Sequence, residues 1–536
     1  MKRFIMATVL FGTVAAQAET IRLQTNLRGA SSVDVNIVST LAGEIHEIKF
    51  NLAKVEANTL AGRPEFKVFS EKEITFSQDV GLASVPFKSI VVAGEPATTE
   101  VLVDAGNAVV VNALSAPAQK EISRNAKAGA WIFTPAKSRP TVRKEYLGTY
   151  RGQPLTRVTV YAAAADYSSK TMKFYPNLRA QVTTQGTVSD LLQKEVESAY
   201  DYLIVSPKAL LPGLSDLVFY KNMRGHVVKT VVLEDIGADV AKISAFFKSE
   251  YKDNKYKYAL IVGTDTLFPN HQVNTSGSAK TPSDYPYFLM DSNDMIPDVQ
   301  YGRVVASTPE EVKRQSHKWM DYQERRSDVS GLLRMIGIAS NEGSAPSDED
   351  YVKGIEADLS AAYGTTSTHF HQDSPTSKPG PINDAFNKGV GYVTYLGHGS
   401  GTSWASTGVW YATADVKKLE NANVQQPVII DVACQNGILK KGYLGETFMN
   451  SVDSRGDAVG AAMYLGGSVN ISWHPPAIMA RGIVKRTIAN KLGTIGDAVL
   501  AGQLYLLENH TDVEAVRDNF EWYHLFGEPS SNIYFK

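Results

Sequence analysis

The 536-residue sequence contains a single cysteine, Cys434, and no excess of either charge. One cysteine cannot form a disulfide within the chain, so a disulfide-stabilised fold is excluded. Lys and Arg number 54 and Asp and Glu number 56, giving a net charge of −2. This balance argues against a protein that holds nucleic acid or anionic membranes by bulk charge. Glycine (41) and proline (23) are near average usage, which excludes collagen-like and low-complexity chains.

The first eighteen residues have the pattern of a signal peptide. Lys2-Arg3 is basic, residues 4–14 are apolar, and Ala16-Gln17-Ala18 gives the small-x-small pattern that precedes cleavage. The apolar segment is too short for a membrane span, which needs about 20 residues, and no other segment reaches that length without charges. The sequence therefore predicts an exported protein, secreted or periplasmic, that begins near Glu19 and has no membrane span.

The remaining chain divides into regions of different hydrophobic periodicity. Residues 19–195 contain short alternating stretches separated by Gly, Pro, Asn and Ser clusters, which is typical of an antiparallel β domain. After residue 195, short apolar strands alternate with amphipathic segments, which indicates a mostly parallel sheet covered by helices on both faces. The helical segment that ends near Arg326 divides this region into two α/β subdomains, residues 196–328 and 329–536.

Four chemically distinctive side chains follow four of the predicted strands. Glu342, His398, Cys434 and Trp473 each lie in the loop after a different apolar strand. Because parallel strands end at the same edge of a sheet, these side chains are expected to converge there. An imidazole and a thiol at neighbouring strand ends are what covalent catalysis by a thiol requires. Taken singly, each residue also fits an ordinary role in a cap, a loop or the core.

Several stretches of the sequence resemble the gingipain family of cysteine peptidases, which belongs to the same clan as caspases and legumain. They include IASNEG (338–343), YLGHGSGTSW (395–404), IIDVACQNG (429–437) and HLFGEPSSNIYF (524–535). A weaker likeness to the gingipain propeptide lies in VPFKSIVVAG (85–94) and in residues 156–177. The resemblance implies a caspase-like α/β catalytic region of two subdomains, preceded by an all-β prodomain that inhibits the enzyme.

Position by position, the resemblance also implies roles for individual residues. Cys434 matches the nucleophile, His398 the catalytic imidazole, and Glu342 the acid that orients the imidazole. The backbone N–H groups of Gly399 and Cys434 would form the oxyanion hole. Asp431, in the strand before the cysteine, is a weaker candidate that also fits a structural role.

The resemblance further implies a preference for a basic P1 residue, Arg before Lys. Trp473 matches the tryptophan that covers the S1 pocket, and an indole face suits a guanidinium. Asp350 and Glu349 are the two candidates for an acid in that pocket, where a carboxylate would add charge-assisted hydrogen bonds. Acids at a helix start are equally typical of capping residues.

A thiol mechanism needs no redox or organic cofactor, but a structural metal ion is conceivable. The family binds calcium, and Asp291, Asp294 and Asp298 form an acidic loop, although their spacing is not that of an EF-hand. Solvated turn carboxylates are the alternative interpretation. A zinc site at His369-x-His371 is a further alternative, for which the sequence offers no evident third ligand.

Two other functions, a serine hydrolase and a non-catalytic binding module, are alternatives to a peptidase. The segment GHGSG is not a nucleophile elbow, because His398 stands two residues before Ser400 where that motif requires Gly. A non-catalytic binding module with the same fold stays open, although such a module would not need the three catalytic residue types. The sequence therefore predicts an exported cysteine endopeptidase, acting on proteins or peptides and made as a zymogen. Its prodomain would be removed near Lys194, with Arg179 as another possible site.

Overall fold

The computed structural model describes residues 6–7, 19–24, 31–40, 43–60, 63–68, 74–120, 139–184, 198–291, 294–324, 329–342 and 346–534. The predicted signal peptide, apart from residues 6–7, and the predicted cleavage junction at Lys194 lie outside these ranges. Within them, no helix has both the length and the apolar character needed to cross a membrane. The chain forms two compact units. The first comprises Met1–Lys120, Ala128–Lys194 and Leu507–Glu514, and the second comprises Glu121–Lys127, Glu195–Leu506 and Ala515–Lys536.

The first unit is built from short, mostly antiparallel β-strands, as the alternating sequence pattern predicts. In β15, for example, exposed and buried residues alternate along the whole strand, so that one face packs on the core and the other meets solvent. The strands form four sheets, with the orders β1-β10-β14-β13, β11-β12-β8-β7, β3-β4-β15-β9 and β2-β5-β6. Their bounds are β1 (Met6–Ala7), β2 (Glu19–Arg22), β3 (Ser32–Thr40), β4 (Gly43–Asn51), β5 (Lys54–Leu60), β6 (Arg63–Val68), β7 (Thr75–Phe76), β8 (Pro86–Ala93), β9 (Glu100–Asp104), β10 (Val109–Val111), β11 (Val142–Tyr150), β12 (Gln153–Tyr161), β13 (Ala163–Asp166), β14 (Thr171–Phe174) and β15 (Arg179–Thr184).

The second unit contains one large sheet, whose strands and accompanying hairpins have the following bounds: β16 (Tyr202–Ser206), β17 (Val228–Val232), β18 (Tyr258–Val262), β19 (His271–Val273), β20 (Thr281–Ser283), β21 (Gln300–Val304), β22 (Arg334–Ala339), β23 (Thr366–His371), β24 (Tyr392–Leu396), β25 (Ser403–Trp404), β26 (Tyr411–Ala412), β27 (Val428–Val432), β28 (Met463–Gly467) and β29 (Tyr523–Phe526). Ten of them form a sheet in the order β17-β16-β18-β21-β29-β28-β27-β24-β22-β23. Among the described pairs of this sheet, β28 with β29 is antiparallel and the others are parallel. The two predicted α/β subdomains thus contribute to a single sheet, joined where β21 meets β29.

Helices accompany this sheet, as the alternation of strands and amphipathic segments predicts. Every residue of β16, β18, β24, β27 and β28 is buried, which is the pattern of strands covered on both faces. The helices are α1 (Ser215–Met223), α2 (Leu233–Ile236), α3 (Val240–Asn254), α4 (Pro309–Glu324), α5 (Asp348–Tyr363), α6 (Pro379–Asn387), α7 (Thr413–Val416), α8 (Leu444–Asn450), α9 (His474–Asn490), α10 (Ile495–Asn509) and α11 (Val513–Trp522).

Helix α5 shows how sequence sets the bounds of an element that follows one of the buried strands. Ser347 and Asp350 form a capping box at its start, and Gly364 ends it in the left-handed region at φ 71°. This helix follows β22, and β22 lies beside β24 in the sheet. The neighbouring strands β28, β27, β24 and β22 therefore end side by side, and the four loops singled out in the sequence leave the sheet at one edge.

Candidate active site

The imidazole of His398 is held by the carboxylate of Glu342 across two neighbouring strand ends. Nε2 of His398 lies 2.9 Å from Oε2 of Glu342. The backbone of the histidine is fixed as well, because its N–H donates to Ser406 Oγ at 2.9 Å and its carbonyl accepts from Tyr395 OH at 2.6 Å. The ring is therefore presented on a loop with little freedom, while the side chains of His398 and Glu342 remain partly exposed to solvent.

Two residues that the sequence analysis did not single out hold the Glu342 loop. The N–H of Glu342 donates to Ser340 Oγ at 3.1 Å, and that hydroxyl donates to Asp348 Oδ2 at 2.7 Å. The N–H of Asp348 in turn donates to the carbonyl of Glu342 at 3.3 Å. Ser340 and Asp348 are both buried. The sequence does place a hydroxyl, Ser340, directly after β22 and an acid, Asp348, at the start of α5. These positions could have indicated the contact, but an acid at a helix start is also typical of a cap.

Cys434 follows β27 and is fully buried, with 0% of its surface exposed. Its Sγ accepts the backbone N–H of Ile471 at 3.4 Å, and it lies 3.9 Å from the carbonyl oxygen of the same residue. The next residue, Gln435, has φ 64°, an uncommon conformation for a residue with a side chain. Such conformations concentrate at functional sites, where the surrounding structure holds them. Here the N–H of Gln435 is held by the carbonyl of Val469 at 2.9 Å.

The backbones of Gly399 and Cys434 are in direct contact. A Cβ at position 399 would collide with the carbonyl oxygen of Cys434 and would lie 2.9 Å from its nitrogen. Only glycine fits this approach. The loops that carry the thiol and the imidazole are therefore packed against each other at the edge where β27 and β24 end.

Asp431 is a buried acceptor that connects the loops after β24 and β27 by hydrogen bonds; we call this hydrogen-bonded Asp431 the brace. Its Oδ2 accepts from Trp404 Nε1 at 2.9 Å, from Asn436 Nδ2 at 3.0 Å, and from the hydroxyl of Tyr464. Asn436 also accepts the N–H of Gly401 at 3.0 Å. Burial, together with the charge of Asp431, raises the pKa of Tyr464 well above its ordinary value, which keeps that phenol a donor. Because Asp431 is fully buried among these donors, its position fits the structural role considered in the sequence analysis.

Trp473 lies beside the imidazole of His398, directly before α9. Its ring centroid is 5.6 Å from that of His398, at an interplanar angle of 80°. The next residue, His474, approaches Tyr351 of α5, with 3.5 Å between Nδ1 and the hydroxyl oxygen. The first residue of α9 therefore contacts the first turn of α5, the helix that carries the predicted pocket acids.

The two candidate pocket acids have different surroundings. Asp350 is exposed, and its Oδ2 accepts from the N–H and the hydroxyl of Ser347 at 2.8 and 2.9 Å. Glu349 is paired with Lys353 at 2.8 Å and with His369 at 3.0 Å. Burial raises the pKa of Glu349, but the hydrogen bonds from these two partners outweigh it and leave that pKa below its ordinary value. Of the two, Glu349 is thus already paired with basic groups.

The two candidate metal sites are the acidic loop, for calcium, and His369-x-His371, for zinc. Among the residues that the structure describes, no group of three or more His, Cys, Asp or Glu side chains is arranged to hold a metal ion. His369 lies between Glu356 and Glu349, at 2.9 and 3.0 Å, and the Glu356 hydrogen bond is the main cause that raises its pKa. In the acidic loop, Asp294 accepts the N–H of Asp291 at 3.0 Å. Asp294 and Asp298 are buried, so the interpretation of this loop as solvated turn carboxylates is wrong for these two residues. A structural calcium ion stays a prediction, because calcium also takes backbone carbonyls and water as ligands.

Comparison with known proteins identifies the family. A profile for Peptidase family C25 matches residues 195–534. Gingipain R2 of Porphyromonas gingivalis is 30% identical over 347 residues, which cover 61% of this chain and 45% of that relative. This chain thus spans less than half the length of the curated relatives it matches. The crystal structure of the Arg-specific cysteine proteinase gingipain R superimposes with a TM-score of 0.57 at 28% identity, covering 63% of this chain and 79% of that one. The complex of the pro- and mature domains of RgpB from Porphyromonas gingivalis gives a TM-score of 0.56 at 28% identity, with 62% and 79% coverage. The chain belongs to peptidase family C25, as the resemblance to gingipains predicts.

Proposed function

We propose that this protein is a cysteine endopeptidase in which Cys434 is the nucleophile and His398 the acid–base catalyst. The observation that carries the proposal is the contact between the loops of these residues, together with the 2.9 Å pair of His398 and Glu342. A chain that only bound its ligands would have no need for a thiol, an imidazole and an orienting carboxylate at neighbouring strand ends. Membership of a peptidase family supports the same reaction class.

The arrangement suggests how the peptide bond would be cleaved. In the proposed mechanism, Nε2 of His398 stays with Glu342 and Nδ1 takes the thiol proton. The thiolate of Cys434 adds to the peptide carbonyl, and the N–H groups of Gly399 and Cys434 receive the developing oxyanion, each worth about 3–4 kcal/mol. The imidazolium then protonates the leaving amine as the C–N bond breaks. Water, deprotonated by the imidazole, hydrolyses the thioester and restores the thiol.

The proposed reaction needs no redox or organic cofactor. Proton transfer is assigned to His398, and charge stabilisation to two backbone N–H groups and Glu342. A calcium ion, if this chain binds one, would stabilise the fold away from the reacting atoms. Dialysis against a calcium chelator would then lower the melting temperature, while leaving turnover at low temperature intact.

A basic residue before the cleaved bond is the proposed specificity, Arg before Lys. Trp473 beside His398 offers an indole face to a guanidinium. Asp350 is exposed, whereas Glu349 is paired with Lys353 and His369, so Asp350 is the proposed pocket acid. One solved relative is described as Arg-specific, which supports the same preference.

A matched pair of variants separates a pocket role of Asp350 from its capping role. Asp350→Asn replaces the charged carboxylate by a neutral amide, whereas Ser347→Ala removes the capping hydroxyl and keeps the acid. We expect Asp350→Asn to lower kcat/KM for P1 Arg about tenfold relative to uncharged P1 residues. Ser347→Ala should leave that ratio unchanged. Equal ratios in both variants would assign Asp350 to the cap alone, and a library profile with aliphatic or acidic P1 residues would refute the pocket.

The β-rich residues 19–195 are proposed to be an inhibitory prodomain, and residues 1–18 an export signal. An exported peptidase endangers the cell that makes it, so delayed activation is physically reasonable. The solved complex of a relative's pro- and mature domains shows that a separate prodomain can stay bound to a mature enzyme of this family. The substrates would be proteins or peptides outside the cytoplasm.

Turnover of a reporter peptide by three variants tests the proposed reaction. Cys434→Ala should abolish hydrolysis, and His398→Ala should lower kcat by at least ~10², because acid–base catalysis is lost. Ser400→Ala is the matched control, since Ser400 is in the same loop and its hydroxyl is bonded to that of Ser403 at 2.7 Å. Full activity of Cys434→Ala would contradict the proposal. A folded wild type that binds peptides without cleaving them would favour the binding module.

A further inference from the structure

The segment after the catalytic histidine presents two adjacent apolar side chains to solvent. Val409 is 57% exposed and Trp410 is 60% exposed. The aromatic residues before and after them are not exposed: Trp404 and Tyr411 are fully buried and stack with ring centroids 5.1 Å apart. An exposed indole leaves a large apolar surface in water, and aromatic residues are enriched where proteins bind partners. We refer to Val409 and Trp410 as the 409–410 tip.

The backbone of the tip is tightly held. The N–H of Val409 donates to the carbonyl of Ser377 at 3.1 Å, and its carbonyl accepts from Thr407 Oγ1 at 2.7 Å. Thr407 Oγ1 also accepts the N–H of Tyr411 at 3.1 Å, which closes the turn. A side chain on such a turn loses little conformational freedom when it binds, so more of its contact energy appears as affinity.

The tip is continuous with the candidate active site. The N–H of Ala405 donates to the carbonyl of His398 at 2.9 Å, and Ser406 holds the N–H of His398 at the same distance. Trp410 is four residues from Ser406, a separation of at most about 14 Å along the chain. A substrate bound as an extended strand advances about 3.3 Å per residue. The tip is thus within reach of a side chain a few residues from the cleaved bond.

A second series of contacts links the tip to the other catalytic loop. Asn341, the neighbour of Glu342, donates through Nδ2 to both oxygens of Asp373, at 3.1 and 3.0 Å. The turn that follows Asp373 places Ser377, whose N–H donates to the carbonyl of Ser374 at 2.9 Å, under Val409. A series of hydrogen bonds therefore connects the neighbour of Glu342 to the 409–410 tip through the turn at residues 373–377.

We propose that the 409–410 tip is a subsite for an apolar or aromatic side chain of the polypeptide substrate, distinct from the pocket for P1. The proposal rests on the proposed peptidase function, and Trp410 is its principal contact. The occupant is an apolar side chain because the tip exposes an indole and an isopropyl group and no charge. Burying such a pair of surfaces favours binding by about tenfold.

Two kinds of substrate test the subsite. One is a short reporter, a blocked arginine amide that ends at P1, and the other is a set of longer peptides with Leu, Phe or Ser three to five residues from the cleaved bond. Trp410→Ala should lower kcat/KM about tenfold for the Leu and Phe peptides, while the reporter and the Ser peptides are unchanged. Trp410→Phe should retain most of the preference. Phe219→Ala, which removes a comparably exposed aromatic (69%) on α1, is the matched control.

The outcomes that overturn the subsite differ from those that overturn the peptidase. An equal loss on the short reporter would assign Trp410 to support of the His398 loop, and no loss on any peptide would remove the subsite. A shift in sedimentation on Trp410→Ala would assign the tip to contact with a second copy. Binding of the same peptides to Cys434→Ala, measured by fluorescence anisotropy, needs no catalysis. Apolar peptides that bind about tenfold more weakly when Trp410→Ala is added would support the subsite even if wild type hydrolysed nothing.

Discussion

Glu342 and His398 come from loops that follow neighbouring strands and meet with 2.9 Å between Oε2 and Nε2. In the proposed mechanism, this carboxylate would orient the ring, and its charge would favour the imidazolium that forms during acyl transfer. Since Glu342 is itself held by Ser340 and Asp348, the orientation of the imidazole depends on the start of α5.

Glu342→Gln should reduce turnover without unfolding the protein. The amide keeps an acceptor for the ring N–H but loses the charge, so we expect kcat to fall about tenfold, less than for His398→Ala. The melting temperature should stay within one or two degrees, because the side chain is partly exposed. Asp457→Asn, which alters an exposed acid beside Arg455, is the control. Loss of activity as large as that of His398→Ala would make Glu342 an essential acid and contradict an orienting role.

Asp431→Ala should destabilise the catalytic loops. Three buried donors, from Trp404, Asn436 and Tyr464, would lose their acceptor, at about 1–3 kcal/mol each for a donor that finds no replacement. Thermal unfolding should show a fall in melting temperature of several degrees, and activity should fall with it. Asp431→Asn keeps one acceptor oxygen and should fall less. An unchanged melting temperature for Asp431→Ala would show that the brace contributes little.

Glu521 should make the stability depend on pH. Burial raises the pKa of Glu521 to about 7, against the opposing hydrogen bond from Ser283 Oγ at 2.6 Å. The folded value exceeds the ordinary 4.5, so the stabilisation from the bound proton is complete below about pH 4.5 and is lost as the pH rises through about 7. The shift corresponds to about 3 kcal/mol.

The Glu521→Gln variant tests this dependence, because the amide resembles the protonated acid. Its melting temperature should exceed that of the wild type at pH 8, and the difference should shrink towards pH 5. Glu514→Gln, at an exposed position of α11, is the matched control and should follow the wild type. If the difference in melting temperature between wild type and Glu521→Gln were the same at every pH, Glu521 would not be the cause of the pH dependence.

The β-rich residues should be removed when the purified precursor is incubated. New N-termini between about residues 180 and 201, appearing with a rise in activity, are expected, because proteases cut most readily in polar connecting segments. Cys434→Ala should prevent both changes, and Lys194→Ala should move the cut or slow it. An intact chain that is already fully active would refute the inhibitory role, and cleavage that continues in Cys434→Ala would assign it to another protease.

Sequence reasoning located the two kinds of region because apolar periodicity is a local property. The continuous apolar strands ending before Glu342, His398 and Cys434 were visible for that reason. Two strands of the large sheet, β21 and β29, were not predicted, and β23 was considered only through the strand positions of His369-x-His371. In β21 a buried Arg303 interrupts the apolar pattern, β23 is a polar edge strand, and β29 follows directly on α11 at the end of the chain. Their places depend on partners far away in the sequence.

The same distinction separates the predicted site residues from those that were missed. His398 and Cys434 could be found because their types and positions after strands indicate chemistry by themselves. The structural role of Asp431 depends on a hydrogen bond from Trp404, which lies 27 residues earlier in the sequence. Glu349 is paired with His369 of β23, which lies 20 residues later. Such pairings follow from tertiary packing, and residue type alone does not show them.

Labelling with an active-site-directed electrophile tests the central assignment most directly. Because Cys434 is the only cysteine, intact-mass spectrometry assigns any thiol adduct without ambiguity. The activated wild type should react with a peptidyl-arginine acyloxymethyl ketone to a single adduct and lose activity in proportion, and His398→Ala should react at least ~10² more slowly. Equal labelling rates in the two proteins, or a thiol that reacts only after denaturation, would contradict the account and leave Cys434 a buried core residue.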